Sequence, residues 1–163
     1  VSATEDARER TVVSLIESRR KNGLFPVGRL DKDTEGLLLI TNDGALAHRL
    51  LSPRKHVDKC YYAEVAGEAS QEDVRLFAEG IDIGAEQEER TRPARLEILE
   101  SGQVSKVRLT IQEGKFHQVK RMFRAVGKEV LYLKRERMGT LVLDEGLRPG
   151  QYRHLTEKEI EKL

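Results

Sequence analysis

Arg29, Asp31, Asp33 and Glu35, all charged, fall within one window of seven residues. An apolar run of strand length, Leu37-Leu38-Leu39-Ile40, follows at once, with Gly28, Gly36 and Gly44 as punctuation. A charged loop that leads into a buried strand sets carboxylates where one wall is dry and the opening is wet. A nucleophile or a proton-transfer group is well served there. Two metal-dependent alternatives fit less well. Asp31 to Gly36 matches the first half of an EF-hand loop, but its twelfth position is Asn42 and its seventh to tenth are apolar, so oxygen ligands run out. An aspartyl-phosphate loop needs its apolar strand before the acids, and here it comes after them. A third possibility is plain pairing of Asp31 with Arg29 or Lys32.

The rest of the composition narrows the class. The chain has 163 residues, 38% apolar and 35% charged, enough for a core in one domain or two small subdomains. Its longest apolar run is far below the ~18 residues that would span a bilayer, so no membrane partner is expected. One cysteine, Cys60, and four scattered histidines predict no disulfide, no zinc and a reducing, cytoplasmic setting. Net charge is only +1, yet residues 68–100 carry ten acidic and four basic side chains, and residues 113–137 carry eight basic and three acidic. That polarity suits one basic face turned to a polyanion, although ordinary solvated helices produce it as well.

The elements that must position the loop follow from periodicity. A helix is predicted over 9–21, ending at Gly23, then the loop, a strand over 37–41, a turn at Asn42-Asp43-Gly44, and a helix from Ala45 to Leu51. Lys59–Val65 alternates as a strand, with Tyr61, Ala63 and Val65 on one face. Ser70 with Asp73 is a capping box for a helix ending at Gly80. Ile81–Ile83 reads as a short strand, and Leu96, Ile98 against Val107, Leu109, Ile111 as a hairpin about Ser101-Gly102. A helix over 116–126 has Phe116, Val119, Phe123 and Val126 as its apolar stripe. Strands at 129–134 and 139–143 and a helix capped by Thr156 and Glu159 complete an α+β fold with a largely antiparallel sheet.

Distant segments turn the acidic loop into a pattern. VGRLDKDTEGLLLITNDG resembles the central motif of the pseudouridine synthases, in the branch that modifies ribosomal RNA. Lys59-Cys60-Tyr61 with Ala63 and Val65 is similar to the family's second motif, and Glu113 to Phe123 (EGKFHQVKRMF) to its third. LYLKRERMGTLVLD, from Leu131 to Asp144, and GQYRHLT, from Gly150 to Thr156, are most like members acting on 16S RNA. The resemblance runs in order along essentially all of 1–163. It implies a mixed, mostly antiparallel central sheet with flanking helices, two subdomains about a cleft, and catalysis without cofactor or metal. Relatives usually carry an S4-type RNA-binding domain and an Asn-Lys-Pro-x-Gly strand ahead of the catalytic domain. Neither is in this sequence, so the expectation is a catalytic domain truncated at its N-terminus.

The resemblance also implies roles. The enzyme would isomerise a uridine of ribosomal RNA, 16S before 23S, within rRNA processing and ribosome biogenesis; a non-catalytic RNA-binding or assembly factor is the competing reading. Asp31 matches the essential aspartate, as nucleophile or base. Lys120 matches the basic residue paired with it, with Arg121 as substitute. Tyr61 matches the tyrosine that stacks on the target base, and its neighbour Tyr62 is the expected core tyrosine. Arg29 would enter the site when RNA binds. Leu133 would pack under the uracil. His117 and Gln118 are expected to position or contact RNA, and Lys115, Arg121, Arg124, Lys128, Lys134, Arg135 and Arg137 to touch phosphates. A monomer is expected.

Overall fold

The structure is a computed structural model and describes residues 1–17 and 23–163. The described residues supply eight strands: β1 (Phe25–Pro26), β2 (Glu35–Gly36), β3 (Ile40–Thr41), β4 (Lys59–Ala66), β5 (Arg95–Glu100), β6 (Val104–Ile111), β7 (Glu129–Met138) and β8 (Leu141–Val142). The α-helices are α1 (Gly44–Leu51), α2 (Gln71–Glu79), α3 (Gln118–Ala125) and α4 (Glu157–Lys162). The main sheet runs β2-β7-β4-β6-β5, with β8 on β7. Every pairing in it is antiparallel except β2 with β7. The expected mixed, mostly antiparallel sheet with flanking helices is what forms. No helix among the described residues is long and apolar enough to cross a membrane.

Two apolar clusters form, and β7 serves both. The larger gathers Tyr61, Ala63 and Val65 of β4, Leu109 of β6, Leu133 of β7, Phe77 of α2, and Val119, Met122 and Phe123 of α3. Phe77 and Phe123 are fully buried and meet edge to face at 5.2 Å, each worth about 1.5–3 kcal/mol of burial. The smaller gathers Val27, Leu39, Ala47 and Leu50 with Met138 and Leu141. The acidic loop leads into the second cluster and α3 packs on the first, and the two meet through side chains.

Helix boundaries follow local capping. Asp43 accepts from Leu46 N–H at 3.0 Å to start α1, and both Ser70/Asp73 and Thr156/Glu159 form reciprocal capping boxes.

Four expectations differ from the structure. The helix over 9–21 is, in its described part, a single 3-10 turn at Val13–Leu15; residues 18–22 lie outside the described residues. Ser14 bonds back to Thr11 through both its N–H and its hydroxyl, a local alternative that competes with helical bonding. The strand over 37–41 is an extended run that changes partners: Leu37 N–H donates to Arg135 O at 2.7 Å, then Leu39 O accepts from Val27 N–H at 2.7 Å, and only Ile40–Thr41 pairs as β3. Ile81–Ile83 reduces to one bridge, Asp82 with Arg90. Phe116 leaves the apolar stripe altogether and is 75% exposed, because the chain turns through a left-handed His117 before α3 begins.

Candidate active site

Asp31 is delivered by a loop braced at both ends. Before it, Leu30 N–H donates to Ser2 Oγ at 3.1 Å; after it, Thr34 N–H closes a turn on Asp31 O at 2.9 Å. The loop then docks on the sheet through Gly36, whose φ is +111° and whose position would bring a Cβ to 2.2 Å from Arg135 O. Only glycine permits that approach. β2 can therefore lie parallel to β7, with Glu35 opposite Lys134.

α3 supplies the other half. The Lys120 ammonium lies 3.3 Å from Asp31 Oδ2, and His117 Nε2 lies 3.4 Å from Asp31 Oδ1. Lys120 also donates to Asp33 Oδ1 at 2.6 Å. His117 caps α3 and Lys120 is in its first turn, so the Asp31 carboxylate sits at a helix N-terminus, where the dipole favours an anion. Burial draws the Lys120 pKa down, but the hydrogen bond to Asp33 and the charge of Asp31 outweigh it, and the ammonium is held above its ordinary range. The same hydrogen bond lowers Asp33. The Asp31 side chain remains 25% exposed, open to a ligand while paired behind.

Tyr61 and Leu133 lie next to each other on the inner face of the sheet. Tyr61 is opposite Arg135, Ala63 is opposite Leu133, and both side chains enter the cluster that holds Val119 of α3. The two tyrosines exchange their expected surroundings. Tyr61 is the buried one at 9% exposure; Tyr62 points to the other face, donates to Glu64 at 2.8 Å and meets Tyr132 edge-on.

The remaining predicted residues divide by burial. Lys115 and Lys134 are half-buried, and Arg124 and His117 are exposed, as phosphate or RNA contacts would require. Arg29 is exposed, and among the described residues it has no ion-pair partner, so the loop pairing of Asp31 with Arg29 does not form. Lys32 pairs instead with Glu9. Gln118 is 4% exposed and tied to Glu113 at 3.0 Å and to Lys115 N–H at 3.0 Å, so it braces the turn and is not turned to RNA. Arg121 donates to Phe116 O, Ile83 O and Glu89; it clamps the start of α3 and does not reach Asp31. Lys128 is paired with Asp73 at 2.9 Å, with little of either side chain exposed. Arg135 is 2% exposed, its Nε donating to Leu37 O at 2.8 Å, so it is not a surface phosphate contact. Cys60 is opposite Arg137 and Tyr61 opposite Arg135, which makes Glu136 an extra residue in β7. Arg135 faces inward with Leu133 by ordinary two-residue alternation; the bulge after it shifts the parity, so that Met138 and not Arg137 is the next buried residue.

Three residues of the site were not singled out for it by the sequence. Asp33 is the nearest acid to Lys120, legible only as a second carboxylate two residues on. Phe116 stacks on His117 with ring centres 3.8 Å apart. Glu113 is 4% exposed and accepts from Arg92 N–H at 2.7 Å. A cavity of about 1100 Å³ lies among Leu37, Leu38, Leu143 and Tyr152. Of the predicted site residues only Asp31 and Lys134 reach its edge, so it is not the space in front of the Asp31–Lys120 pair.

This geometry can be set beside known proteins. The RNA pseudouridylate synthase family profile matches residues 1–125. The chain is 52% identical over 166 residues to the uncharacterised RNA pseudouridine synthase YtzG of Bacillus subtilis, covering 100% of this chain and 68% of that protein. It is 45% identical over 160 residues to ribosomal small subunit pseudouridine synthase A of Salmonella typhimurium, covering 98% of this chain and 68% of the relative. A crystal structure of a pseudouridylate synthase superposes with TM-score 0.86 at 44% identity, over 93% of this chain and 64% of the other. An H/ACA ribonucleoprotein bound to a substrate RNA containing 2′-deoxyuridine matches at TM-score 0.56 and 19% identity, a likeness of fold alone. The chain belongs to the RNA pseudouridylate synthase family, enzymes that isomerise uridine within RNA.

Proposed function

We propose that the protein converts a uridine of the small-subunit (16S) ribosomal RNA to pseudouridine, as a cytoplasmic monomer that uses Asp31 as its catalytic carboxylate. The observation that carries the reading is the Asp31 carboxylate, paired with Lys120 at 3.3 Å behind and open to solvent in front. Asp31 and Lys120 meet within one chain, so their contact does not need a second copy. The choice of 16S follows the name of the relative at 45% identity.

The reaction neither gains nor loses atoms. The bond from N1 to C1′ breaks, the uracil turns, C5 bonds to C1′, the C5 proton leaves and N1 takes one up. A carboxylate is needed that stays ionised beside the sugar or base. Lys120 and the first turn of α3 hold the negative charge in place, and Asp31 acts as nucleophile or base. Tyr61 and Leu133, 9% and 5% exposed, offer an extruded uracil only the apolar edge they leave uncovered, as the floor of its site. Water must be kept from the separated fragments, which a uridine flipped out of its stack and sealed against that floor achieves. The cations Lys115, Arg124 and Lys134 hold backbone phosphates and set register without reading sequence. Arg29, exposed on the same loop two residues before Asp31, is placed to fill the gap the uridine leaves or to hold phosphate.

Unmodified 16S and 23S transcripts, incubated with the protein and read by carbodiimide-dependent primer extension, test this directly. One new stop in 16S, absent with Asp31→Asn, is the expected result. A stop in 23S alone moves the substrate and leaves the chemistry. RNA binding without any stop makes the protein a binding factor.

A further inference from the structure

Phe116 breaks the rule that a large apolar ring is covered. It is 75% exposed, although it directly precedes the His117 that contacts the reactive carboxylate. Nor is it a loose end. Its carbonyl accepts from Arg121 Nη1 at 2.8 Å, and Arg121 is itself fastened to Ile83 O at 2.8 Å and to Glu89. His117 stands at φ +48°, a left-handed conformation that costs energy for a residue with a Cβ. In that conformation its imidazole lies against one face of Phe116, centres 3.8 Å apart and planes 21° from parallel. The same imidazole is 3.4 Å from Asp31. The open face of Phe116 is thus one ring beyond a ring that touches the carboxylate.

We propose that Phe116 is a stacking platform for a nucleobase flanking the target uridine, with His117 holding its ring in plane. The inference rests on the pseudouridine reading above. Extruding a uridine leaves its neighbours with unstacked faces, and an aromatic ring set rigidly one step from the carboxylate restores part of what they lose. The charge around it selects the occupant. Lys115 precedes it in the chain and exposed Arg124 follows on α3, while Lys120 is taken up by Asp31 and Asp33; a ring on a segment with spare cations fits a nucleic acid strand better than an apolar protein surface. Phe116 makes no bond with the reacting atoms, so it is a positioning residue and acts on binding.

The test is steady-state pseudouridine formation on unmodified 16S transcript by wild type, Phe116→Ala, Phe116→Leu and Phe116→Trp, with a thermal melt of each. Stacking of one base contributes about 1–3 kcal/mol, so Phe116→Ala should raise KM about five- to 150-fold while kcat holds. Phe116→Leu, which keeps apolar bulk without a π-face, should lose as much. Phe116→Trp should restore the wild-type KM, and all melts should coincide because the side chain is exposed. Product from wild type with an unchanged KM for Phe116→Ala, or full rescue by leucine, overturns the inference and leaves the reading intact. A fall in kcat at constant KM overturns it too, since the ring would then act on Asp31. No product from wild type on 16S or 23S overturns the reading, and the inference with it.

Discussion

Lys120 lies closer to Asp33 than to Asp31, at 2.6 Å against 3.3 Å. The exposed acid anchors the ammonium, and the less exposed acid keeps a looser contact. Asp31 therefore has a fixed counter-charge without having its lone pairs fully occupied, which a group that must attack or accept a proton requires.

Asp31→Asn should abolish product, by at least about 10³-fold in kcat, while RNA affinity stays near wild type. Lys120→Met should fall steeply as well, and Lys120→Arg should retain part of the activity. Single-turnover assays beside filter binding separate the two effects.

The Lys120–Asp33 contact has a pH signature. Lys120 is raised, so its pairs are complete below the ordinary lysine range near ~10.4 and are lost as pH climbs through the higher folded value. Asp33 is lowered, so its share is present above ~3.9 and is lost as pH falls through the lower folded value. Carboxyl-carbon NMR should find Asp33 titrating below the free range in wild type and returning to it in Lys120→Met. An unshifted Asp33 in wild type would remove the contact.

Gln118→Leu should destabilise the start of α3. It takes a donor from Glu113, which is 4% exposed, and an acceptor from Lys115 N–H. Buried groups left unpaired cost about 1–3 kcal/mol, and a melt should fall by roughly 2–12 °C. Because Gln118 precedes Lys120 by two residues in the first turn of α3, activity should fall with stability.

Gly36→Ala should be more damaging. The φ of +111° and the 2.2 Å approach to Arg135 O leave no place for a methyl, and β2 must part from β7. A loss above about 3 kcal/mol is expected, read by denaturant unfolding. A neutral result would mean that the loop docks differently.

Burial, and then the hydrogen bond to Glu35, push the Tyr132 phenol up to about 12. The neutral phenol's contribution is complete below ~10 and is lost as pH rises through the folded value. Tyr62 is raised as well, by burial and its bond to Glu64, so ultraviolet titration should show a late-ionising component that shrinks in Tyr132→Phe and moves down in Glu35→Gln.

Much of this protein is local and was legible as such. Both capping boxes, the hairpin about Ser101-Gly102 and the alternation of β4 depend on residues within a few positions of each other, and pattern reads them directly. Asp31 and Lys120 were named through long motifs, and the structure brings them together across 89 positions. What pattern could not supply was decided by partners far away in sequence. The bulge at Glu136 makes Met138, and not Arg137, the next buried residue of β7 after Arg135, because β4 and β7 keep register on both sides of it. The run after Gly36 exchanges β7 for β1 as Leu37 and Leu39 enter the smaller cluster. Lys128 and Arg121, basic like their neighbours, are taken up by Asp73 and Glu89, and Phe116 is released to solvent by the left-handed turn at His117. Residue type sets what a side chain can do; which charges remain free and which ring stays bare is settled only when the distant chain arrives, because burial and pairing are properties of neighbours.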